Sequence, residues 1–288
     1  MPGLGIVLAT TIWPIFIALR NSLMEWNLSR SSEPSLLWSL DSDGWEGIGF
    51  LFENYLNSFK DPLVANSIQV TAIFTFFSVF FTILFSLGLS LMLYRGGWFR
   101  SIYRTLLLLP FAMSPALVGV SFRFLFNADF GFLNAVIGEV FPFLKGVDML
   151  GDGVSAMVIL VLCDVWHWTP YMTMLLISGL VSVPVETKEA AMIDGAGTWR
   201  IFKDIVLPSI YAVMGISLIL KTIFSLKMFD QVFNLTNGGP GNATQTLAHY
   251  IYFQGFKYYD LGYASAISFW LILPMLFLSI IYMRLIFR

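Results

Sequence analysis

Lys221 is the side chain whose position most strongly indicates a chemical role, because it is a charged residue in the middle of an apolar segment. A charge near the centre of a bilayer costs about 2.5–3.5 kcal/mol, so such residues usually face a cavity or a partner charge. Helical spacing places Phe224, Ser225 and Met228 on the same face as Lys221. We expect this face to line a cavity in which the ammonium binds an anion. Pairing of Lys221 with an acidic residue of a neighbouring subunit is the alternative.

The common catalytic and metal-binding patterns are missing from the sequence. No lysine directly follows a glycine, which excludes a Gly-x-x-x-x-Gly-Lys-Ser/Thr phosphate loop. His167 and His249 are the only histidines, so a His-Glu-x-x-His zinc site cannot form. The net charge of −2 carries no nucleic-acid signal. We therefore expect no catalytic residues, no metal and no cofactor in this chain, and any ATP must be bound by another chain.

Long apolar segments must position these residues. The chain is 57% hydrophobic with a mean hydropathy of +0.77, which is far from a soluble domain. A helix needs about 20 apolar residues to cross a bilayer. The segments that approach or meet this length are 4–19, 66–94, 105–126, 155–180, 209–229 and 263–287. We predict an all-α membrane protein with six transmembrane helices. A signal peptide is the alternative for the first segment, which is short and contains Pro14.

The distribution of basic residues predicts the orientation. Residues 94–104 carry three arginines and no acid, whereas residues 21–65 carry two basic and seven acidic residues. Basic loops stay in the cytoplasm, so both termini are predicted to be cytoplasmic. Along the chain we predict two regions: residues 1–65, with the first transmembrane helix and a periplasmic loop, and residues 66–288, a five-helix core.

One polar stretch, residues 184–208, lies between two apolar segments, and we call it the coupling segment. Gly195 and Gly197 divide it into two predicted helices, because a glycine just past a helix end readily adopts the left-handed conformation. Thr198 is expected to cap the second helix. An amphipathic helix on the bilayer surface is the alternative. Small side chains would let another body approach this segment closely: Ala190, Ala191 and Ala196.

Four motifs carry a resemblance to a known family. The coupling segment contains Glu-Ala-Ala at 189–191, Asp-Gly-Ala at 194–196 and Ile-Val-Leu-Pro at 205–208. It resembles the cytoplasmic loop of importer-type ABC permeases. Residues 103–110, 166–171 and 235–241 resemble segments of the carbohydrate branch, the maltose and glycerol-phosphate type of permease subunit. The motifs follow the order of that branch from about residue 52 to the C-terminus.

The resemblance implies a type I ABC importer permease whose coupling segment forms a cytoplasmic helix-turn-helix. Contacts with the ATPase are then expected from Glu189, Ala190, Ala191, Asp194, Gly195 and Ala196. Substrate contacts are expected from His167, Trp168, Tyr171, Lys221, Phe224, Ser225 and Met228. Aromatic faces with polar tips suit a sugar ring. The alternatives are an interfacial belt for Trp168 and Tyr171, a packed role for His167, and ordinary helix packing for Phe224 and Met228.

The same resemblance implies a bacterial inner-membrane permease subunit that imports a saccharide by alternating access, driven by ATP. Lys221 suggests that this saccharide is anionic. The implied partners are a second permease subunit, two cytoplasmic subunits that bind ATP–Mg, an extracytoplasmic solute-binding protein and membrane lipid. An ion-coupled secondary transporter or a non-transport scaffold is the alternative. The former would need internal repeats and several intramembrane carboxylates, but only Asp164 lies within a predicted span.

Overall fold

The computed structural model describes residues 2–30, 34–36, 52–94, 100–142 and 145–286, and this part of the chain is mainly helical. Parts of the predicted loops 21–65 and 94–104 lie outside the described residues. Two short strands are described, β1 (Met24–Glu25) and β2 (Ser35–Leu36). The helices of the described part are α1 (Pro2–Ser22), α2 (Glu53–Lys60), α3 (Pro62–Tyr94), α4 (Arg100–Ala112), α5 (Pro115–Leu125), α6 (Phe132–Val140), α7 (Gly153–Val181), α8 (Val185–Ile193), α9 (Thr198–Ile201), α10 (Leu207–Ser209), α11 (Tyr211–Leu226), α12 (Asp230–Leu235), α13 (Leu247–Tyr252) and α14 (Leu261–Ile286).

Four of these helices are long and apolar enough to cross a membrane by themselves: α1, α3, α7 and α14. Two bent pairs of helices meet the same criteria only when both halves are taken together, α4 with α5 and the Thr198–Ser209 stretch with α11. Counting each pair as one span gives six in the described part of the chain, in the predicted order. The fold class expected from the sequence is therefore confirmed.

The predicted span 105–126 is broken in the middle. The α4 and α5 axes differ by 94° across Met113 and Ser114. Ser114 is the N-cap of α5, where its side chain accepts a hydrogen bond from the Leu117 amide at 3.3 Å, and Pro115 is the first helical residue. Proline suits a first helical position but cannot continue a preceding helix without losing a hydrogen bond. The break therefore follows from Ser114 and Pro115.

By its packing the chain divides into two compact units, of which the first comprises Met1–Thr71 and Gln245–Met275. Here β1 and β2 pair antiparallel, and the Asn54 side chain donates to the carbonyls of Ser22 and Met24, both at 3.0 Å. The Asp61 carboxylate accepts hydrogen bonds from the hydroxyls of Tyr250 at 2.6 Å and Tyr263 at 2.8 Å. Burial acts to raise the pKa of Asp61, but these hydrogen bonds and those from backbone amides outweigh it and lower the pKa.

The second unit comprises Ala72–Thr244 and Leu276–Arg288, and α7 is its most buried long helix in the described part. Helices α4, α5, α11 and α12 all pack against α7. The α3 face turned inward carries a row of buried hydroxyls at helical spacing: Thr75, Ser78, Thr82, Ser86 and Ser90. The unit thus packs both apolar and hydroxyl side chains against one side of α7.

Candidate functional site

The first helix of the coupling segment ends as the sequence predicts. Gly195 has a φ of +79°, its amide donates to the Met192 carbonyl at 3.1 Å, and the Ala196 amide donates to the Ala191 carbonyl at 2.9 Å. This pair of hydrogen bonds is the glycine-based helix end that satisfies the last free carbonyls of α8. The left-handed conformation expected at Gly195 is confirmed.

The second helix begins one residue earlier than expected. Gly197, with φ −70° and ψ 162°, is the N-cap of α9, and Thr198 is the first helical residue. The prediction that Thr198 caps this helix is therefore wrong, because the extended Gly197 already occupies that position. Further along, the helix widens to a π-turn over Phe202–Val206 before Pro208, which has no amide hydrogen to donate. The axis then bends by 66° into α11.

The inner side of the coupling segment packs against the rest of its unit. Five buried side chains form an apolar cluster: Leu180, Val183, Ile201, Val206 and Ile210. Lys188 on α8 donates a hydrogen bond to the Tyr94 hydroxyl at 2.8 Å and lies 4.5 Å from the centroid of the same ring. The segment is therefore fixed both to the end of α7 and to the end of α3.

The outer side is exposed and carries both apolar and charged side chains. Ile193 is 86% exposed and Trp199 73%, and Val185 and Met192 are exposed as well. Glu189, Ala190, Asp194 and Gly195, four of the predicted ATPase contacts, are also exposed. The other two are Ala191 and Ala196, which are half-buried and pack against the apolar cluster. The small residues thus serve close packing within the chain as well as the outer surface, a correction to the expectation that all three alanines face another body.

Three predicted substrate contacts come together in one aromatic cluster. Trp168 on α7 stacks on Phe224 of α11 with 4.4 Å between ring centroids. Phe111, at the end of α4, stacks on Tyr171 at 4.7 Å and contacts Trp168 edge-on at 5.5 Å. All four rings are half-buried. The aromatic cluster, defined as Phe111, Trp168, Tyr171 and Phe224, could therefore offer apolar ring faces to a small molecule.

Lys221 does not face a cavity as a free charge. Its Nζ lies 2.5 Å from Asp164 Oδ2 on α7, and both side chains are fully buried. Ser225 Oγ accepts a second hydrogen bond from Lys221 at 2.9 Å, and Ser78 on α3 donates to the same Asp164 oxygen. The expectation of an anion-binding ammonium is wrong, and so is the alternative of a pair with another subunit. Lys221 therefore gives no reason to expect an anionic substrate, because its charge is compensated within the chain.

His167 and Met228 are held inside the chain. Gln231 Nε2 lies 3.4 Å from His167 Nδ1, and His167 Nε2 lies 3.1 Å from the Met113 carbonyl oxygen. If the glutamine donates, the imidazole proton is on Nε2 and points to Met113, at the break between α4 and α5. The Met228 side chain is buried in the main apolar core of its unit. The structure therefore matches the alternatives given for these residues, a packed role for His167 and ordinary helix packing for Met228.

The comparisons with known proteins agree with this architecture. Residues 85–288 match the protein family described as the binding-protein-dependent transport system inner membrane component. The chain belongs to this family. As one of these permease components it is a multi-pass inner-membrane protein, and the carbohydrate-branch resemblance noted from the motifs is borne out by its relatives.

Two relatives of the permease illustrate this. The trehalose/maltose transport system permease protein MalF of Thermococcus litoralis is 34% identical over 80% of this chain and 77% of the relative. The sn-glycerol-3-phosphate transport system permease protein UgpA of Pectobacterium atrosepticum is 32% identical over 100% of this chain and 92% of the relative. Among solved structures, a bacterial alginate ABC transporter in complex with an alginate pentasaccharide-bound periplasmic protein matches with a TM-score of 0.79. The match has 17% identity and covers 98% of this chain and 90% of that one, and it supports the fold alone.

Sequence reasoning missed three residues that contact the predicted ones: Phe111, Asp164 and Ser78. Phe111 directly follows the 103–110 motif, and an aromatic residue next to Pro110 was the available signal. Asp164 was visible as the acid inside the fourth span, but nothing local paired it with Lys221. Ser78 belongs to the row of α3 hydroxyls, whose helical period was readable in the sequence.

A separate groove of about 640 Å³ lies between α5 and α12 in the permease. Its polar lining comes from Arg123, Asn127, Asn234 and Asn237. None of the predicted substrate contacts lines this groove, so it is distinct from the aromatic cluster.

Proposed function

We propose that this chain is the permease subunit of an ATP-driven saccharide importer that works by alternating access. The observation that carries the proposal is the coupling segment, whose inner side packs on the ends of two long helices. Its outer side exposes apolar residues, Ile193 and Trp199 above all, among charged ones. An exposed patch of this kind marks an interaction site. Its partners are two cytoplasmic ATPase subunits that bind ATP–Mg, and closure of these subunits pushes the segment and the attached spans.

The saccharide part of the proposal is supported by the aromatic cluster and by the relatives. Half-buried ring faces suit the C–H face of a sugar. One relative is named for trehalose and maltose and the other for sn-glycerol 3-phosphate, so the relatives span neutral and charged substrates. We assign no charge to the substrate of this chain, since Lys221 is paired with Asp164.

The remaining partners follow from the same role. A second permease subunit completes the pathway, and a solute-binding protein delivers the saccharide from outside the inner membrane. The basic loop 94–104 and both termini face the cytoplasm, on the side of the ATPases. The ion-coupled alternative is weakened because Asp164, the carboxylate within the fourth span, is already paired.

Co-expression of the chain with the transporter genes beside it, followed by reconstitution into proteoliposomes, tests the proposal. Uptake and ATP hydrolysis are measured with trehalose, maltose, sn-glycerol 3-phosphate and alginate oligosaccharides. Loaded binding protein is expected to raise ATP hydrolysis while the sugar accumulates, because a partner that binds one state of the permease better shifts the population toward that state. Absence of a copurifying ATPase, or uptake that follows an ion gradient without ATP, would contradict the proposal.

A further inference from the structure

The buried ion pair joins the two helices on either side of the coupling segment. Asp164 lies on α7, which leads into the segment, and Lys221 lies on α11, which follows it. Their charged atoms are 2.5 Å apart at full burial. Ser78 adds a third helix, α3, at the same carboxylate oxygen. This polar contact therefore connects α7 and α11, the helices before and after the coupling segment, to α3, which the segment also contacts through Lys188 and Tyr94.

Stability alone does not account for such a pair. Taking two charges out of water is costly, and replacing a buried ion pair by apolar residues is often neutral or stabilising. A charge pair with defined hydrogen bonds differs from apolar packing in one respect, because it accepts only one register between the two helices. A shift of one helix along the other would disturb apolar packing, but it would also leave the Lys221 and Asp164 charges buried and uncompensated, which adds a large penalty.

The register set by the pair also brings the aromatic rings together. Trp168 follows Asp164 by one helical turn on α7, and Phe224 follows Lys221 by about one turn on α11. These two rings stack at 4.4 Å, and Lys221 Nζ lies 5.6 Å from the centroid of the Trp168 ring. The ion pair and the Trp168–Phe224 stack are thus adjacent contacts of the same two helices.

We propose that Asp164 and Lys221 are positioning residues, which keep α7 and α11 in one register so that displacement of the coupling segment moves both helices and the aromatic cluster together. This inference rests on the proposed function of the segment. It assigns the pair no contact with the substrate. In this role Lys221 helps to pass movement of the coupling segment, on the ATPase side, to the aromatic cluster.

The decisive variant neutralises both residues, Asp164→Asn with Lys221→Met, because each single change would leave an unpaired buried charge and could prevent folding. In the reconstituted transporter, the amount of sugar taken up per ATP hydrolysed is measured with whichever panel sugar the unmodified complex accumulates. We expect the double variant to assemble and hydrolyse ATP, with this ratio lowered about tenfold. The matched control neutralises an exposed ion pair, Glu139→Gln with Lys145→Met, whose atoms lie 2.6 Å apart, and should retain the ratio.

A second readout needs no substrate. Spin labels measure the distance between the two helices. They are attached at Val158→Cys on α7 and Ile216→Cys on α11, both exposed positions, in a chain whose native Cys163 is replaced by alanine. The label-to-label distance distribution should be narrow with the ion pair intact and broader in the double variant. An unchanged distribution together with an unchanged ratio would overturn the inference. If the unmodified complex accumulates no sugar, the proposed function fails, and the label distances still decide whether the pair sets the register.

Discussion

Lys188 on α8 reaches Tyr94 at the end of α3, with its Nζ 2.8 Å from the phenol oxygen and 4.5 Å from the ring centroid. The lysine therefore binds the same side chain twice, through a hydrogen bond and through the face of the ring. This contact holds the first helix of the coupling segment on a span that is distant in sequence. A displacement of α8 would therefore act on α3 as well as on α7.

Graded removal of this contact should give graded uncoupling. Tyr94→Phe loses the hydrogen bond and keeps the ring, whereas Lys188→Met loses both interactions. We expect uptake per ATP to fall slightly in the first variant and by about tenfold in the second, within the range of typical coupling energies. Lys203→Met removes an exposed lysine of the same segment and serves as the control. Equal effects of Lys188→Met and Lys203→Met would argue against a specific role for the contact.

Gly195 should be irreplaceable by a branched residue for backbone reasons alone. A Cβ at this position meets no atom within 4 Å, but the φ of +79° is strained for any L-residue, by about 1–2 kcal/mol and more for a β-branched one. Gly195→Val is therefore expected to retain assembly while lowering uptake per ATP. Gly197→Ala is the matched control, since Gly197 has open space and a φ of −70°. Normal transport by Gly195→Val would count against the shape of the segment as the coupling element.

Phe111 should be required for uptake, because it contacts both Trp168 and Tyr171 in the aromatic cluster. Phe111→Leu removes ring contacts worth about 0.5–1.5 kcal/mol each. We expect a several-fold to tenfold loss of uptake, with ATP hydrolysis in the absence of sugar retained. Phe80→Leu replaces an exposed phenylalanine of α3 and should leave uptake unchanged. A Phe111→Leu variant with normal uptake of every sugar tested would remove the aromatic cluster from the proposed substrate path.

His249 should make stability depend on pH. Burial, together with nearby Lys257, lowers the pKa of His249 to about 4, and the ring packs 4.5 Å from that of Phe253. The unfolded chain has the ordinary His pKa near 6.5, so it binds more protons than the folded chain between these values. Stability is therefore complete above about pH 6.5 and decreases as the pH falls toward 4.

The midpoint of thermal unfolding in detergent, followed from pH 7 to pH 5, measures this dependence. Carboxylates titrate mainly below this window. His249→Gln should flatten the curve, because the substituted side chain does not titrate. A curve of the same slope in His249→Gln would assign the dependence to other groups.

Local features of the fold were readable from the sequence, while contacts between distant segments were not. The six apolar spans and the left-handed Gly195 depend on composition and on a few neighbouring residues. The Asp164–Lys221 pair depends on which faces of two helices meet, and no local pattern encodes that. The 94° break after α4 had signals in Ser114 and Pro115, but a proline also occurs inside continuous helices such as α7, which runs through Pro170. The position of Phe111 in the aromatic cluster follows from that break.

The central claim is that a nucleotide-hydrolysing subunit binds the outer side of the coupling segment. Photo-crosslinking tests it most directly, with benzoylphenylalanine at Ile193, which is 86% exposed, and at Leu162, an exposed apolar position within the span formed by α7. In membranes that contain the assembled transporter, the probe at position 193 should crosslink to an ATPase subunit, and the probe at position 162 should not. Crosslinks from position 193 only to lipid, or equal ATPase crosslinks from both positions, would contradict the account.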